Sequence, residues 1–389
     1  MTKALRFEAA EYQRRLTALR ASMRQAELDA ILLFGQESHY YFTGFDGGGY
    51  VYFQCGVISA DPADPMILLT RRPDLVMARD NSLYDDVRIW WNGEQANPAH
   101  DLKLILAELS LERRRVGVEL DGYGLTAANW DAVRTTMDGF CRLIDASRLS
   151  RDLRLIKSPA EMIHVREAAR LADVGYEAIC AAARPGVLDS VVTAAAMSAM
   201  LAAGADMPPA GPLVNSGRRA LYGRGVGGPR LLEPQDQLIV EYAGTHCRYN
   251  ACIERTLILG PPRDGHLRLY DVCREALDAM LAAAKPGNPI GAIDQAHRAA
   301  LDAAGYGKHR YGACGYSLGA TYRPSWMDVP PMITADNPLP LAPGMILFPH
   351  VMVGDVDSGL AMGLGQTILI TPTGAEALNQ APLDLARIG

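Results

Sequence analysis

Apolar side chains follow helical spacing in some stretches of the chain and form short continuous runs in others. Residues 8–26 place apolar positions at the spacing of one helix face, which predicts an amphipathic helix. The run AILLFG, residues 30–35, predicts a buried strand, and further strands are predicted in the segments PMILLTRRPD, RVGVEL and CRLIDA. This alternation of helices and strands predicts an α/β domain.

A capped helix start divides the chain. In LRLIKSPAEM, residues 153–162, Ser158 stands three residues before Glu161, and Pro159 occupies the first helical position. This pattern is typical of a capping box, and the helix is predicted to run to about residue 183. We therefore place an N-terminal α/β domain at residues 1–152 and a second domain at residues 153–389.

The second part of the chain alternates long alanine-rich helices with strands, which predicts an α+β domain. Its further helices are predicted at residues 187–203, 266–284 and 290–304. Its strands are predicted at residues 237–243, 251–259, 345–352 and 364–371.

Composition excludes several classes of protein. A length of 389 residues exceeds what one hydrophobic core normally supports, which agrees with two domains. The net charge is only −6 with both signs interspersed, so no basic stripe favours nucleic acid, and no apolar run reaches membrane-spanning length. The N-terminus lacks the apolar core of a signal peptide, and no two of the seven cysteines form a CxxC pair. We expect a cytoplasmic protein with reduced thiols that acts on a small molecule.

The stretch EYAGTHCRYNACIERT, residues 241–256, reads as a hairpin that carries two glutamates. Side chains alternate between the faces of a strand, so residues 252 and 254 share one face. If Glu241 faces the same cavity as Cys252, then Glu241 and Glu254 both enter it. Two such carboxylates can divide acid, base or nucleophile roles when their surroundings separate their pKa values. The alternative is a structural ion pair between one glutamate and Arg255 or Arg248.

Seven motifs in order resemble the creatinase, prolidase and aminopeptidase P family. They are YFTGFDG (41–47), LRLIKSPAEM (153–162), NSGRRALYGRG (215–225), the hairpin, GYSLG (315–319), LAPGM (341–345) and GQTILIT (365–371). The resemblance implies an α/β N-terminal domain and a C-terminal pita-bread domain with a curved antiparallel sheet. It also implies a homodimer in which the N-terminal domain of one chain borders the partner's active site. The loop FDGGGY, residues 45–50, is expected to line that neighbouring site.

Metallopeptidases of this family hold two metal ions on five ligands. The resemblance places these ligand positions at Glu241, Cys252, Tyr316, His350 and Gly365. One carboxylate, one thiol and one imidazole do not make the oxygen-rich set that holds two bridged divalent ions. We therefore expect no metal and no cofactor. A single zinc ion on Glu241, Cys252 and His350 stays open as an alternative.

The family's metal-free enzymes provide a positive expectation. Creatinase carries an ERT stretch on the same hairpin strand, here Glu254, Arg255 and Thr256. Ectoine hydrolase is similar at the YFTGFDG and GYxxG motifs and at an aromatic-Pro-Trp pattern, here Tyr322, Pro324 and Trp326. Both enzymes cleave a non-peptide C–N bond in a small zwitterion. The resemblance thus implies a metal-independent hydrolase of such a bond.

The candidate site residues follow from these motifs. Glu241 is the expected nucleophile or base, Glu254 the group that binds a cationic nitrogen, and His350 the group that transfers the proton. The family's catalytic histidine position is Arg224, whose planar guanidinium is suited to binding a carboxylate. The remaining substrate-binding candidates are aromatic, namely Tyr222, Tyr316, Tyr322, Trp326 and Phe45. A solvated loop arginine, a structural histidine and tyrosines that only pack are the alternative interpretations.

Three other functions stay open on the sequence. They are a lyase of a small zwitterion related to dimethylsulfoniopropionate lyase, a metal-dependent proline peptidase and a non-catalytic pita-bread binding protein. Buried, convergent Glu241, Glu254 and His350 would favour an enzyme, whereas an open or collapsed pocket would favour a binding protein.

Overall fold

A computed structural model describes residues 3–225 and 227–389. The chain divides into two compact units, Met1–Arg154 and Leu155–Gly389. The boundary expected from the sequence, between residues 152 and 153, lies two residues before this division.

The N-terminal unit is an α/β domain built on a mixed six-stranded sheet. Its strands are β1 (Ala30–Leu33), β2 (Cys55–Ser59), β3 (Ile67–Arg71), β4 (Asp86–Trp90), β5 (Arg115–Val118) and β6 (Arg142–Asp145). The strand order in the sheet is β4-β3-β2-β1-β5-β6, with β1 antiparallel to β2 and parallel to β5. Its helices are α1 (Ala9–Gln25), α2 (Gln36–Thr43), α3 (Leu75–Asn81), α4 (Pro98–Glu108), α5 (Ala127–Thr136) and α6 (Ser147–Leu155).

The predicted strands of this unit are confirmed at β1, β3, β5 and β6, whereas β2 and β4 were not predicted. Strand β4 lies at the sheet edge, and four of its five residues are only half-buried, which removes the apolar run that marks a buried strand. Strand β2 is completely buried but has only five residues, CGVIS, and a buried segment this short is easily confused with other buried segments.

The C-terminal unit begins with the predicted capped helix, α7 (Pro159–Ala182). The Ser158 side chain accepts a hydrogen bond from the Glu161 backbone N–H at 3.2 Å, and the Glu161 side chain accepts one from the Ser158 N–H at 2.9 Å. This reciprocal pair is the capping box expected from the sequence. The other helices are α8 (Asp189–Ala202), α9 (His266–Ala283) and α10 (Gly291–Ala303).

A large antiparallel sheet forms the rest of this unit, so the expected fold class is confirmed. Its strands are β7 (Leu213–Ser216), β8 (Asp236–His246), β9 (Tyr249–Leu259), β10 (Gly315–Leu318), β11 (Met327–Met332), β12 (Ile346–Asp355), β13 (Leu360–Gln366), β14 (Ile368–Thr371), β15 (Gly374–Ala377) and β16 (Ala386–Ile388). The main path of the sheet is β11-β10-β12-β13-β9-β8-β7. Off this path, β14 pairs with β12, β15 pairs with β14, and β16 pairs with β9.

Helices cover the sheet in two pairs. Apolar side chains of α9 and α10 pack with those of β12 and β13 in one core cluster. Those of α7 and α8 pack with β8 and β9 in another. Because β8, β9, β12 and β13 are held by these helices, side chains on the opposite face of the central strands are carried by rigid elements.

The single strand predicted over residues 364–371 is wrong, since β13 and β14 are separate. Thr367 interrupts the ladder, because its hydroxyl accepts a hydrogen bond from the Cys252 N–H at 2.7 Å and donates one to the Cys252 carbonyl at 2.9 Å. Its own N–H donates to the Asn379 side chain. Side-chain bonds of this kind compete with regular strand pairing and are not visible in apolar periodicity.

Among the residues that the structure describes, no helix combines the length and apolar character needed to cross a membrane.

Candidate active site

The β8–β9 hairpin places two glutamates directly opposite each other. Glu241 of β8 pairs with Glu254 of β9, and Val240 pairs with Arg255. Directly opposite residues of an antiparallel pair project to the same face. Glu241 and Glu254 therefore share one face of the sheet, and Arg255 projects to the other.

Glu254 is completely buried and is bound by a histidine. Its Oε2 atom lies 3.0 Å from Nδ1 of His350, and its side chain is only 1% exposed. Within the described part of the chain, its Oε1 atom has no hydrogen-bond partner. A Cβ atom at Gly363 would lie 2.4 Å from that oxygen, so only glycine leaves room for the carboxylate there.

His350 is held in a fixed orientation on β12. Its ring stacks on Phe348 with centroids 5.3 Å apart and an interplanar angle of 13°. Burial by itself would lower the pKa of His350, but the hydrogen bond and the negative charge of Glu254 outweigh burial and raise that pKa above its ordinary value. The pair is therefore best described as a carboxylate bound to a readily protonated imidazole.

Glu241 occupies a different environment. The Tyr316 hydroxyl donates a hydrogen bond to its Oε1 at 2.9 Å, and Trp326 Nε1 donates to the Tyr316 hydroxyl at 2.7 Å. Burial and then the charge of Glu254 raise the pKa of Glu241 to about 7, against the lowering effects of His350, Tyr316 and Arg224. A carboxyl group with this pKa changes its protonation state close to neutral pH, which suits a general acid or base.

In the described part of the chain, neither Arg255 nor Arg248 forms an ion pair with Glu241 or Glu254. The Arg255 guanidinium donates to backbone carbonyl groups, those of Glu254, Gly365, Ala381 and Pro382. Arg248 lies over the Tyr322 ring, 5.0 Å from its centroid. The charged partner described for Glu254 is instead His350.

Arg224 and Tyr222 lie on an exposed loop beside the hairpin. Asn215 fixes this loop because its amide donates to the backbone carbonyls of Tyr222 at 3.0 Å and of Arg224 at 3.2 Å. The Tyr222 side chain is 46% exposed. The positive charge of Arg224 acts on Glu241 by lowering its pKa, so the guanidinium lies within electrostatic reach of the carboxylate.

The other aromatic candidates differ in their contacts with the site. Tyr316 donates to Glu241, and Trp326 donates to Tyr316 rather than to the carboxylate. Tyr322 is buried, with Arg248 over its ring. Phe45 is different, because its side chain is completely buried in the core of the N-terminal unit. Burial in that core leaves no surface of Phe45 for a substrate, so the structure does not support its prediction as a substrate-binding residue.

The five positions that correspond to metal ligands do not fit a dinuclear site. Burial raises the pKa of the Cys252 thiol well above its ordinary value, which disfavours the thiolate that binds metal. The Tyr316 hydroxyl donates to Glu241, and His350 Nδ1 contacts Glu254. A Cβ atom at Gly365 would lie 2.8 Å from the Phe348 ring, so a side chain at that position has no room.

Two residues of the site were not predicted. Gly363 makes room for Glu254, and Phe348 both supports His350 and fills the space beside Gly365. The segment AMGLGQ, residues 361–366, could have indicated Gly363, because a glycine inside a strand often marks a close approach of another group. Nothing in the segment around Phe348 distinguishes it from an ordinary core residue.

Profiles of known families identify the class of protein. That of metallopeptidase family M24 matches residues 164–372, and that of the creatinase/prolidase N-terminal domain matches residues 15–156. The chain therefore belongs to metallopeptidase family M24, with the two-domain creatinase/prolidase pita-bread fold.

Individual relatives span nearly the whole chain. The ectoine hydrolase of Halomonas elongata is 27% identical over 399 residues, with 98% of each chain covered. The Xaa-Pro dipeptidase of Pyrococcus furiosus is 24% identical over 375 residues, with 95% of this chain and 99% of the relative covered. The solved structure of a Bacillus anthracis Xaa-Pro dipeptidase has a TM-score of 0.82 at 24% identity and covers 97% of this chain and 99% of its own. This structural likeness supports the fold.

Proposed function

We propose that the protein is a metal-independent hydrolase that cleaves a non-peptide C–N bond in a small zwitterionic substrate. The observation that carries this proposal is the pair of opposed carboxylates in unlike environments. Glu241 titrates near neutral pH beside Tyr316, whereas Glu254 is bound to His350. Two carboxylates in unlike environments can divide the work of hydrolysis. The similarity to an ectoine hydrolase supports the substrate class.

Glu241 is the proposed base or nucleophile. Tyr316 holds its Oε1 atom, which leaves Oε2 to accept a proton from an attacking water or to attack the carbon itself. With a pKa of about 7, the carboxylate form is well populated at neutral pH and is still basic enough to take a proton. The largest cause of the raised pKa of Glu241 is desolvation of its carboxyl group, which favours the protonated form.

His350 is the proposed proton donor to the leaving nitrogen. Glu254 favours the imidazolium form, which holds a proton ready for transfer. When water adds to the substrate carbon, its hydroxyl oxygen forms the new C–O bond and its proton goes to Glu241. The C–N bond then breaks as His350 protonates the nitrogen, and the proton on Glu241 restores His350. One water is consumed, and both side chains return to their starting states.

The charges of the site match a zwitterion. Glu254 is a buried acidic group whose Oε1 has no hydrogen-bond partner in the described part of the chain, so its charge would attract a cationic nitrogen bound on the same face of the sheet. Arg224 carries the opposite charge on the exposed loop and would bind the substrate's carboxylate in a two-pronged manner. A substrate with a cationic amidinium and a carboxylate fits both groups.

An activity screen with metal-stripped protein tests the proposal. The panel contains cyclic amidines, guanidino acids, N-acyl amino acids and proline dipeptides, each with and without added Mn²⁺ or Zn²⁺. We expect hydrolysis of an amidine or guanidino acid without metal. Cleavage of proline dipeptides only after metal addition would establish a metallopeptidase instead. Activity against no member, with the fold intact by circular dichroism, would contradict the proposed substrate class.

A further inference from the structure

Two groups of three potential metal ligands occur among residues 3–225 and 227–389. The ligand atoms of each group lie within 4.8 Å of one another. One group, Asp294, His297 and Cys314, is buried, and its carboxylate already accepts from Arg298 and from the Ala335 N–H. That group is adequately explained as a structural network. The other group, half-buried, has the composition and access of a metal site.

This second group joins a helix to the turn of the hairpin. His164 lies near the start of α7, His246 is the last residue of β8, and Cys247 follows in the turn. The two imidazole Nδ1 atoms are 3.2 Å apart. All three side chains are half-buried, so an ion can reach them from solvent.

The turn is held in a conformation that is uncommon for its residues. Cys247 and Arg248 have φ angles of +47° and +68°, in the region usually taken by glycine or asparagine in two-residue hairpin turns. Asp206 accepts a hydrogen bond from the Arg248 N–H at 3.1 Å, and the Tyr249 hydroxyl donates to Glu161 at 2.9 Å. Through these bonds the chain that follows the cysteine is fixed before any ion binds.

We propose that His164, His246 and Cys247 bind a zinc ion. Two imidazoles and one thiolate are a set that zinc accepts as three protein ligands with water in the fourth position. Two nitrogen ligands of a tetrahedral zinc, each at about 2.0–2.1 Å, lie about 3.3–3.4 Å apart. The observed separation of 3.2 Å between the two Nδ1 atoms is close to that spacing. One ion would thereby link α7 to the hairpin turn.

This site is separate from the carboxylate pair. Its nearest strand residue, His246, lies five residues along β8 from Glu241, which corresponds to about 16–17 Å along a strand. Zinc binding at this site can therefore be tested independently of the proposed hydrolase activity. The expected role of the ion is to link α7 to the hairpin.

Zinc and cobalt binding to the full-length protein test this site. Apo protein, prepared with a chelator and a reductant, is titrated with Zn²⁺ against a chromophoric competitor and separately with Co²⁺. We expect one tight ion per chain and, with cobalt, thiolate charge-transfer absorption together with the d–d bands of tetrahedral coordination. His246→Ala and Cys247→Ser should each weaken zinc binding at least tenfold. Cys180→Ser, which removes another half-buried thiol, is the matched control and should bind as the wild type does.

The outcomes separate three cases. Loss of binding in His246→Ala and Cys247→Ser, with retention in His350→Ala, supports the proposed site. Loss in His350→Ala alone would place the ion at the carboxylate hairpin and overturn the proposal. Absence of a tight ion in folded wild-type protein would also overturn it. None of these measurements depends on an identified substrate.

Discussion

Replacing Glu241 by glutamine should stabilise the protein in a pH-dependent manner while removing its activity. The pKa of Glu241 lies at about 7 in the folded chain, against an ordinary value of 4.5. Its carboxyl therefore favours the folded state fully below pH 4.5, and that contribution is lost as the pH rises through about 7. Glutamine stays neutral throughout and can still accept the hydrogen bond from Tyr316.

The magnitude follows from the separation of the two pKa values. At about 1.4 kcal/mol for each pH unit, ionising Glu241 in the folded chain costs about 3 kcal/mol more than in the unfolded chain. Part of this cost is already present at pH 5. Between pH 5 and pH 8, the stability advantage of Glu241→Gln over wild type should therefore grow by about 2–3 kcal/mol. For a unit of this size, the thermal midpoint of the variant should gain roughly 4–9 °C on the wild type.

Thermal unfolding from pH 5 to pH 8, followed by calorimetry, measures this difference. Glu376→Gln is a control, because it removes a surface carboxylate that is paired with Arg166 and 41% exposed. An exposed pair contributes about 0–1 kcal/mol, so this control should show little gain at either pH. A difference between Glu241→Gln and wild type that does not change with pH would refute the inference that Glu241 is held near neutrality by burial and by Glu254.

Three further predictions concern the site and the assembly. The value of kcat/KM should increase with pH as Glu241 ionises near pH 7 and decrease with pH as His350, whose pKa is raised, loses its proton; a profile without either limb would contradict these roles. Gly363→Ala should lower kcat/KM at least tenfold while the circular dichroism spectrum stays native, because the new Cβ would lie 2.4 Å from Glu254. The control Gly211→Ala places its Cβ in open space and should leave kcat/KM unchanged. The proposed homodimer should give a light-scattering mass twice the chain's 42.1 kDa, and the mass of one chain would argue against it.

Local sequence patterns predicted the scaffold well because their physical causes are local. The capping box at Ser158 depends on residues three apart, and the hairpin depends on two neighbouring strands. Once the strands are paired, strand alternation alone puts Glu241 and Glu254 on one face. The start of α7 and the hairpin could therefore be placed before the rest of the unit was known.

The contacts that define the site are non-local, and apolar periodicity does not encode them. Tyr316 lies 75 residues from Glu241 in sequence, and His350 lies 96 residues from Glu254. All four of these residues were candidates on the sequence because of the family's motif positions. Neither hydrogen bond between them was predicted. The resemblance also suggested Phe45 as a substrate contact, although its side chain is completely buried. Whether an aromatic loop residue faces the core or a ligand depends on packing that motif order does not specify.

Steady-state kinetics of Glu241→Gln and Glu254→Gln in metal-stripped protein test the central proposal most directly. With the substrate found by the screen, Glu241→Gln should lower kcat by about a hundredfold or more with little change in KM, because it removes the base or nucleophile. Glu254→Gln should mainly raise KM for a cationic substrate, because the neutral amide no longer attracts the nitrogen. If both variants retain wild-type kcat and KM, the two carboxylates are structural and the proposed mechanism is wrong.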